Sequence, residues 1–219
     1  MNDPQLTRLL RNQVARYRVA SVDLLISELP VEKHEPARKL LKSDIAFQTI
    51  HGLTGGGAIC QRRRKPPAKT VITRCIAIHQ FCRGSSIKRT LLMKQEVKRY
   101  FPDLFRKGLP AGYYVDANGE KPVLGMLRVD VQLTPIRRIW QRSVALTEKH
   151  RTQTEFRKLI ASKQFEITWL VPTDSKANTI RRVGFTNQNA SYPVIAHTIP
   201  LLLDQLTPPP KTLPDVAGL

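Results

Sequence analysis

Hydrophobic residues in the first 43 positions recur every three or four residues, and this spacing predicts three successive helices. Pro4 lies near the start of the first helix, where a missing backbone N–H does no harm. Ser21 with Asp23 can cap the second helix and Pro30 ends it, while the third is expected over residues 33–43. The apolar positions of the three segments are Leu6, Leu9, Leu10 and Val14, then Val22, Leu24, Leu25, Ile26 and Leu29, and then Ala37, Leu40 and Leu41.

The next segment predicts a hairpin. Residues 45–51 alternate as a strand does, and residues 58–61 can return beside them. The glycines at 55–57 are not followed by the Gly-Lys-Ser/Thr of a phosphate-binding loop, so we favour a hairpin turn. Three helices followed by a hairpin is the order of a winged helix, whose third helix enters the major groove of DNA. We therefore expect residues 1–65 to form a winged-helix domain.

Residues 66–105 are expected to form a helical linker whose long apolar helix could serve as a homodimer contact. The pattern over residues 70–82 is helical, and it places Cys75, His79 and Cys82 on one face. These side chains could be three ligands of a zinc site, but no fourth ligand with fitting spacing stands near. A buried stripe with a hydrogen-bonded His is the favoured interpretation. Residues 87–92 predict a strand or an extended connection, and residues 94–101 a further short helix.

The second half of the chain predicts a small α/β core within residues 106–200. Asn118-Gly119 is a strong hairpin signal between two strands, and the later run from Phe165 to Pro172 is apolar enough for a buried central strand. Residues 201–219 are rich in proline and are expected to be an extended tail. The predicted elements of the core are strands over 113–116, 123–131 and 165–172 and helices over 135–149, 153–161 and 174–183.

The charge of the chain indicates the kind of molecule that it binds. The chain of 219 residues carries 36 Lys and Arg against 17 Asp and Glu, a formal net charge of +19. Between Asp44 and Glu96 there are ten basic residues and no acidic one. Such a field attracts polyanions, and we expect double-stranded DNA to be the partner. The side chains expected to contact it are His34, Arg38, Lys39 and Lys42 on the third helix and Arg62, Arg63, Arg64 and Lys65 in the wing.

The composition indicates in which cellular compartment the protein is expected. Three Cys cannot make a paired disulfide framework and suit a reducing cytosol. The sequence has no apolar run long enough for a membrane span, and its first residues lack the pattern of a signal peptide. A cytoplasmic protein with no membrane partner is therefore expected.

The order of elements after residue 106 is also that of the restriction-endonuclease-like core. At this level the chain resembles the bacterial replication-relaxation family of plasmids and other mobile elements, over residues 5–183. The stretches that carry the resemblance are Leu109–Tyr114, Gly125–Asp130 and Phe165–Pro172. The resemblance implies an α+β protein, an N-terminal winged helix followed by a small nuclease-like α/β core. It also implies that the protein is bacterial and associated with the nucleoid. In active members of the endonuclease-like fold, carboxylates on two strands hold a divalent metal and a Lys stabilises the scissile phosphate.

The metal-binding positions of that fold are altered in this chain. When the motifs are carried over, Ala111 stands at the Asp of the first motif and Arg128 at the Glu of the second. Asp130 matches the remaining acid, and Gln132 replaces the Lys. An Arg at position 128 would itself bind phosphate where the metal would lie, so we expect a catalytically degenerate core with no cofactor.

An active, metal-dependent endonuclease is the first alternative. It would need Asp116 and Asp130 to hold Mg²⁺ together, and Glu96 could be a third ligand. For each acid the ordinary interpretation is structural: Asp116 begins an Asn-Gly hairpin, Asp130 ends a strand beside a helix, and Glu96 pairs with Arg99. Two further alternatives are an RNA- or ribosome-binding protein and a subunit of a larger DNA machine. The favoured function is duplex DNA binding in replication, transfer or regulation of a mobile element.

Overall fold

A computed structural model of the protein describes residues 3–50, 57–62, 65, 67–84, 89–102, 112–186, 194–200 and 202, with residues 184–186 described by their backbone alone. Over these residues the fold is mixed α+β with two sheets, which confirms the expected α+β class. Most of the Pro-rich segment 201–219 lies outside the described residues, as do Gly55 and Gly56 of the predicted turn and Ala111.

The N-terminal part is built on a three-stranded antiparallel sheet. Asp3 caps the first helix, since its carboxylate accepts hydrogen bonds from the backbone N–H groups of Gln5 and Leu6. The strand β1, which was not predicted from the sequence, pairs with β3, and β3 pairs with β2. The elements in chain order are α1 (Pro4–Tyr17), β1 (Val19–Ser21), α2 (Val22–Ser27), a 3-10 turn (Val31–Lys33), α3 (His34–Ser43), β2 (Phe47–Ile50) and β3 (Ala58–Gln61).

The C-terminal part contains a five-stranded mixed sheet in the order β4-β5-β6-β7-β8. Strands β4, β5 and β6 are antiparallel neighbours, while β6, β7 and β8 run parallel. The last strand was not predicted. The elements are α4 (Lys69–Arg83), β4 (Arg89–Leu91), α5 (Lys94–Tyr100), β5 (Tyr113–Asp116), β6 (Val123–Val129), α6 (Ile136–Arg151), α7 (Thr154–Ala161), β7 (Phe165–Val171), α8 (Asp174–Thr186) and β8 (Val194–Thr198).

Helix α4 joins the two parts through one continuous core. Phe81 and Cys82 of this helix belong to the same buried cluster as Leu10 and Leu41 of the N-terminal helices and Leu170 of β7. The expectation of a linker with an exposed apolar face is therefore wrong. The apolar residues suggested for a dimer contact are buried within the chain instead.

The other face of the larger sheet packs on α6, α7 and α8. Side chains of the central strands alternate between the two faces, because successive residues of a strand point to opposite sides. Leu127 and Leu170 thus belong to the core around α4, whereas Met126, Trp169 and Val171 belong to the core beneath the three later helices. Both faces of β7 are covered, as the apolar run in its sequence predicted.

The larger sheet is tightly packed at Gly125 of β6. A Cβ at this position would lie 2.1 Å from the ring of Tyr114, which is fully buried and hydrogen-bonded to Glu166 and Thr168. We expect Gly125→Ala to lower the free energy of unfolding by about 3 kcal/mol, measured by urea denaturation. Gly119→Ala is the matched control and should change it by less than about 0.5 kcal/mol, since its nearest neighbour would be 3.7 Å away. Equal stability of the two variants would contradict this packing.

Candidate nucleic-acid interface

Helix α3 presents a basic outer face. Its apolar residues are buried, while Arg38, Lys39 and Lys42 are exposed on the opposite side. The guanidinium of Arg38 lies 3.9 Å from the Asp23 carboxylate, at the limit of an ion pair. His34, at the start of the helix, is half-buried, and its Nε2 is 3.0 Å from the carbonyl oxygen of Leu29. Three of the four residues predicted on this helix are therefore accessible, and the fourth ties the helix to the preceding turn.

The β2–β3 hairpin carries the second predicted group. Arg62 and Lys65 are exposed beyond the end of β3, and the Arg62 backbone N–H donates to the carbonyl of Ala46 at 2.8 Å. Arg63 and Arg64 lie outside the described residues, so only half of the predicted wing charges can be placed. The two that are placed extend the basic surface of the N-terminal part.

Asp116 has a structural role at the hairpin between β5 and β6. Its carboxylate accepts hydrogen bonds from the Asn118 backbone at 3.0 Å and from Arg89 at 3.1 Å. Burial alone would raise the pKa of Asp116, but these hydrogen bonds and the Arg89 charge hold it below its usual value. The interpretation of Asp116 as the first residue of an Asn-Gly hairpin is confirmed.

Asp130 is buried at the end of β6. One carboxylate oxygen accepts from the Thr134 backbone N–H at 2.7 Å, and the other pairs with Lys176 of α8. The carboxylate is thus fully engaged in joining the strand to the next turn and to a helix. This is the structural interpretation that the sequence analysis gave it.

The two carboxylates cannot share a metal ion. Asp116 pairs with Val123 at the beginning of β6, whereas Asp130 follows Val129 at its end. Seven residues of extended strand separate these positions by about 23 Å. The pair proposed for an active Mg²⁺-dependent site is therefore wrong. Among the described residues, no three His, Cys, Asp or Glu side chains form a group that could hold a metal ion.

Glu96 is also engaged, though with a different partner from the one expected. Its carboxylate makes two hydrogen bonds with Arg16 of α1, at 2.7 and 2.8 Å, and accepts from the Met93 backbone N–H. The predicted pair with Arg99 is not formed, because that side chain lies over the Tyr100 ring. The ion pair instead fastens α5 to the end of α1.

A cleft of about 1110 Å³ lies where α1, α4, β6 and α6 meet. Its floor contains Leu127 and Trp169 of the larger sheet, and no Asp or Glu is among the described residues that line it. We call it the basic cleft, after the seven cationic side chains in its lining: Arg16, Arg18, Arg74, Lys94, Arg128, Arg142 and Lys149.

Arg128 occupies the inner part of the basic cleft. It is half-buried, and its Nε is fully buried with no hydrogen-bond acceptor among the described residues. Burial and the nearby charges of Arg74 and Arg142 lower the pKa of its guanidinium. Next to it, the Leu127 N–H donates to the Gly112 carbonyl at 2.7 Å, which brings the start of β5 beside Arg128. A phosphate in the cleft would contact the terminal nitrogens of this guanidinium, since the buried Nε is closed to a ligand.

The sequence analysis found Arg128 but missed the other cations of the cleft. Arg142 and Lys149 are seven residues apart on α6, and this spacing places them on one face of the helix. The spacing could therefore have predicted that these two side chains lie together. Arg18 and Arg74 carried no such signal, because only the packing of α1 and α4 against the sheet brings them to this place.

The zinc interpretation is wrong. The Nδ1 of His79 accepts the Ser21 backbone N–H at 3.1 Å, and its ring packs against Tyr17 at a centroid distance of 4.3 Å. Burial, reinforced by Arg83, lowers the pKa of His79 to about 3, so the ring is neutral. Burial also raises the pKa of Cys82 to about 12, which keeps the thiol protonated. The buried stripe with a hydrogen-bonded His is confirmed.

Comparisons with protein-family models, with curated proteins and with solved structures give no match to this chain. Within the part of the chain that the structure describes, no helix combines the length and the apolar character needed to cross a membrane.

The structural role of Asp130 gives a direct test. Asp130→Ala leaves the Lys176 ammonium without its buried partner, so we expect the free energy of unfolding to fall by about 3 kcal/mol. Glu155→Ala, which removes the exposed pair with Lys158, should change it by less than about 1 kcal/mol. Thermal unfolding with and without Mg²⁺ completes the measurement. A Tm of the natural protein that rises with Mg²⁺, together with loss of that rise in Asp130→Ala, would mean that Asp130 is a metal ligand.

Proposed function

We propose that the protein binds double-stranded DNA through a winged helix formed by its N-terminal part, and that its C-terminal part is a nuclease-like scaffold in which Arg128 has replaced metal chemistry. The observation that carries this proposal is the sheet order β1-β3-β2 beside α3, a helix whose outer face is basic. In a winged helix this is the helix that enters the major groove, and the neighbouring hairpin lies along the phosphate backbone.

The distribution of charge supports a polyanionic partner. Lys39 and Lys42 have no carboxylate partner among the described residues, and the only carboxylates near Arg38 are at 3.8 Å or more. Arg62 and Lys65 are exposed beyond the end of β3 and add two further positive charges to the N-terminal part. Exposed cations without a partner can bind phosphates and the edges of bases. Phosphate contacts provide affinity, and base contacts provide sequence preference.

The larger sheet supports the nuclease-like part of the proposal. An antiparallel unit of three strands followed by a helical connection and a parallel strand is the order expected of the restriction-endonuclease-like core. The place where its carboxylates would hold a metal has Arg128 instead, among other cations. The residues present therefore do not fit Mg²⁺, and we assign phosphate binding to this place.

The biological setting follows from the resemblance to the replication-relaxation family. On that basis we propose a role in replication, transfer or regulation of a mobile element, in the cytoplasm and in association with the nucleoid. The RNA-binding alternative is less favoured, because the third helix of a winged helix reads the major groove of B-form DNA, whereas the major groove of an RNA duplex is too deep and narrow for side chains.

Two classes of variant distinguish the phosphate contacts of the proposed interface from its base contacts. Replacing Arg62 or Lys65 by Ala removes one phosphate contact, so binding should weaken equally for all duplex sequences and the salt slope should fall by about one. Replacing Lys39 or Lys42 by Ala should change the preference among sequences, since a good base contact discriminates by about 1–3 kcal/mol. Fluorescence anisotropy at several salt concentrations, together with selection from a random duplex library, measures both effects.

Arg157→Ala is the matched control for this experiment. It removes one positive charge from an exposed position of α7, away from the proposed interface, and should leave both the salt slope and the selected sequences unchanged. If the Arg62 and Lys65 variants behave like this control, the hairpin is not a wing and the proposed placement of DNA is wrong.

A further inference from the structure

We propose that the basic cleft binds the phosphates of a single DNA strand that has left the duplex, an inference that rests on the proposed function. It gives the protein a second nucleic-acid site, separate from α3 and the hairpin, whose substrate is a strand end or an unpaired segment. The charges of the cleft, the position of Arg128 and the size of the space support this assignment.

Five of the seven cations of the cleft have no carboxylate partner among the described residues. They come from four different elements or their ends: Arg18, Arg74, Arg128, Arg142 and Lys149. Arg16 and Lys94 do not belong to this set, since Glu96 holds Arg16 and Lys94 has an interaction of its own. Like charges brought together in this way repel one another, so the fold is under strain that an anionic ligand would relieve.

The backbone conformation of Arg18 also supports a ligand site in the cleft. It ends α1 with a φ of 66°, a left-handed backbone conformation that is unfavourable for a side chain larger than glycine. Strain of this kind persists where the surrounding structure fixes it, and it concentrates at ligand sites. Here the turn carries the chain from α1 into β1 and leaves the Arg18 side chain in the lining of the cleft.

Arg128 supplies the specific position for a phosphate. Its Nε is buried beside the floor and has no acceptor among the described residues, which is unusual for a guanidinium nitrogen. A guanidinium binds phosphate oxygens through two parallel N–H donors, and Arg74 and Arg142 are close enough to influence the same group. One phosphate at this position would therefore lie in the positive field of three guanidinium groups.

The size of the cleft favours a strand over a duplex. Its volume of about 1110 Å³ is close to the upper end of ordinary small-molecule sites, about 300–1,000 Å³. Such a space accepts a few nucleotides, whereas a duplex, whose major groove alone is about 12 Å wide, can lie only across the opening. Apolar side chains share the lining with the cations, including Ile78, Leu91 and Leu146, and they offer surface to unstacked bases.

The experiment compares three probes on the full-length protein. These are a fluorescent single strand of about ten nucleotides, a blunt duplex of the same sequence, and pyrophosphate as an unlabelled competitor. Arg142→Glu and Lys149→Glu change exposed residues of α6 that line the cleft, and Arg137→Glu changes an exposed residue of the same helix outside the lining. Arg74→Gln probes the cleft from α4, so that the result does not depend on one helix. Circular dichroism confirms that each variant is folded.

We expect each cleft variant to weaken single-strand binding at least about tenfold, while blunt-duplex binding changes no more than it does in Arg137→Glu. Single-strand affinity that is unchanged in all cleft variants overturns the inference, and retained duplex binding would then leave the proposed function intact. Displacement of the strand by an equal concentration of pyrophosphate also overturns it, because the cleft would then be a site for small anions. Strand binding without any duplex binding would instead contradict the proposed function and leave the cleft assignment standing.

Discussion

The burial of α4 between the two sheets is the constraint on which the rest of the structure depends. One side of the helix packs on β1 and the N-terminal helices, and another reaches β6 and β7 of the larger sheet. Burying apolar side chains in this shared core stabilises both parts together. The helix also fixes Arg74 beside Arg128, so the packing that holds the chain together assembles the basic cleft at the same time.

The charged side chains of this protein fall into two groups, those that are paired within the fold and those that are not. The carboxylates that the sequence suggested for catalysis are each joined to a cation, Asp116 to Arg89 and Asp130 to Lys176, and serve the fold. In contrast, five cations of the cleft and two lysines of α3 have no carboxylate partner among the described residues: Arg18, Arg74, Arg128, Arg142 and Lys149, with Lys39 and Lys42. Unpaired positive charge destabilises a compact chain unless a ligand neutralises it. This imbalance is the physical basis for proposing nucleic acid as the partner.

Local patterns predicted most of the elements but not their assembly. The periodicity of Leu6, Leu10 and Val14 depends on neighbours in sequence, so the helix that they belong to was predicted. The helix predicted over 135–149 is likewise observed close to those bounds, at Ile136–Arg151. Strands β1 and β8 were missed because each is only three to five residues long and takes its hydrogen bonds from distant segments. The separation of Asp116 and Asp130 was implied by the Asn-Gly hairpin, which fixes the first acid at the turn and the second at the opposite end of the strand. The basic cleft was beyond prediction, since Arg18, Arg74 and Arg142 meet only through tertiary packing.

The central claim is that this protein holds DNA through cations alone and does not hydrolyse it with a metal. The most direct measurement titrates the protein into a random-sequence duplex library at two salt concentrations, with and without Mg²⁺ or Mn²⁺, and follows binding and cleavage in the same sample. Our account predicts duplex that is bound more weakly at the higher salt, remains intact, and is retained equally with either metal or none. Metal-dependent cuts, or no binding at the lower salt, would contradict it.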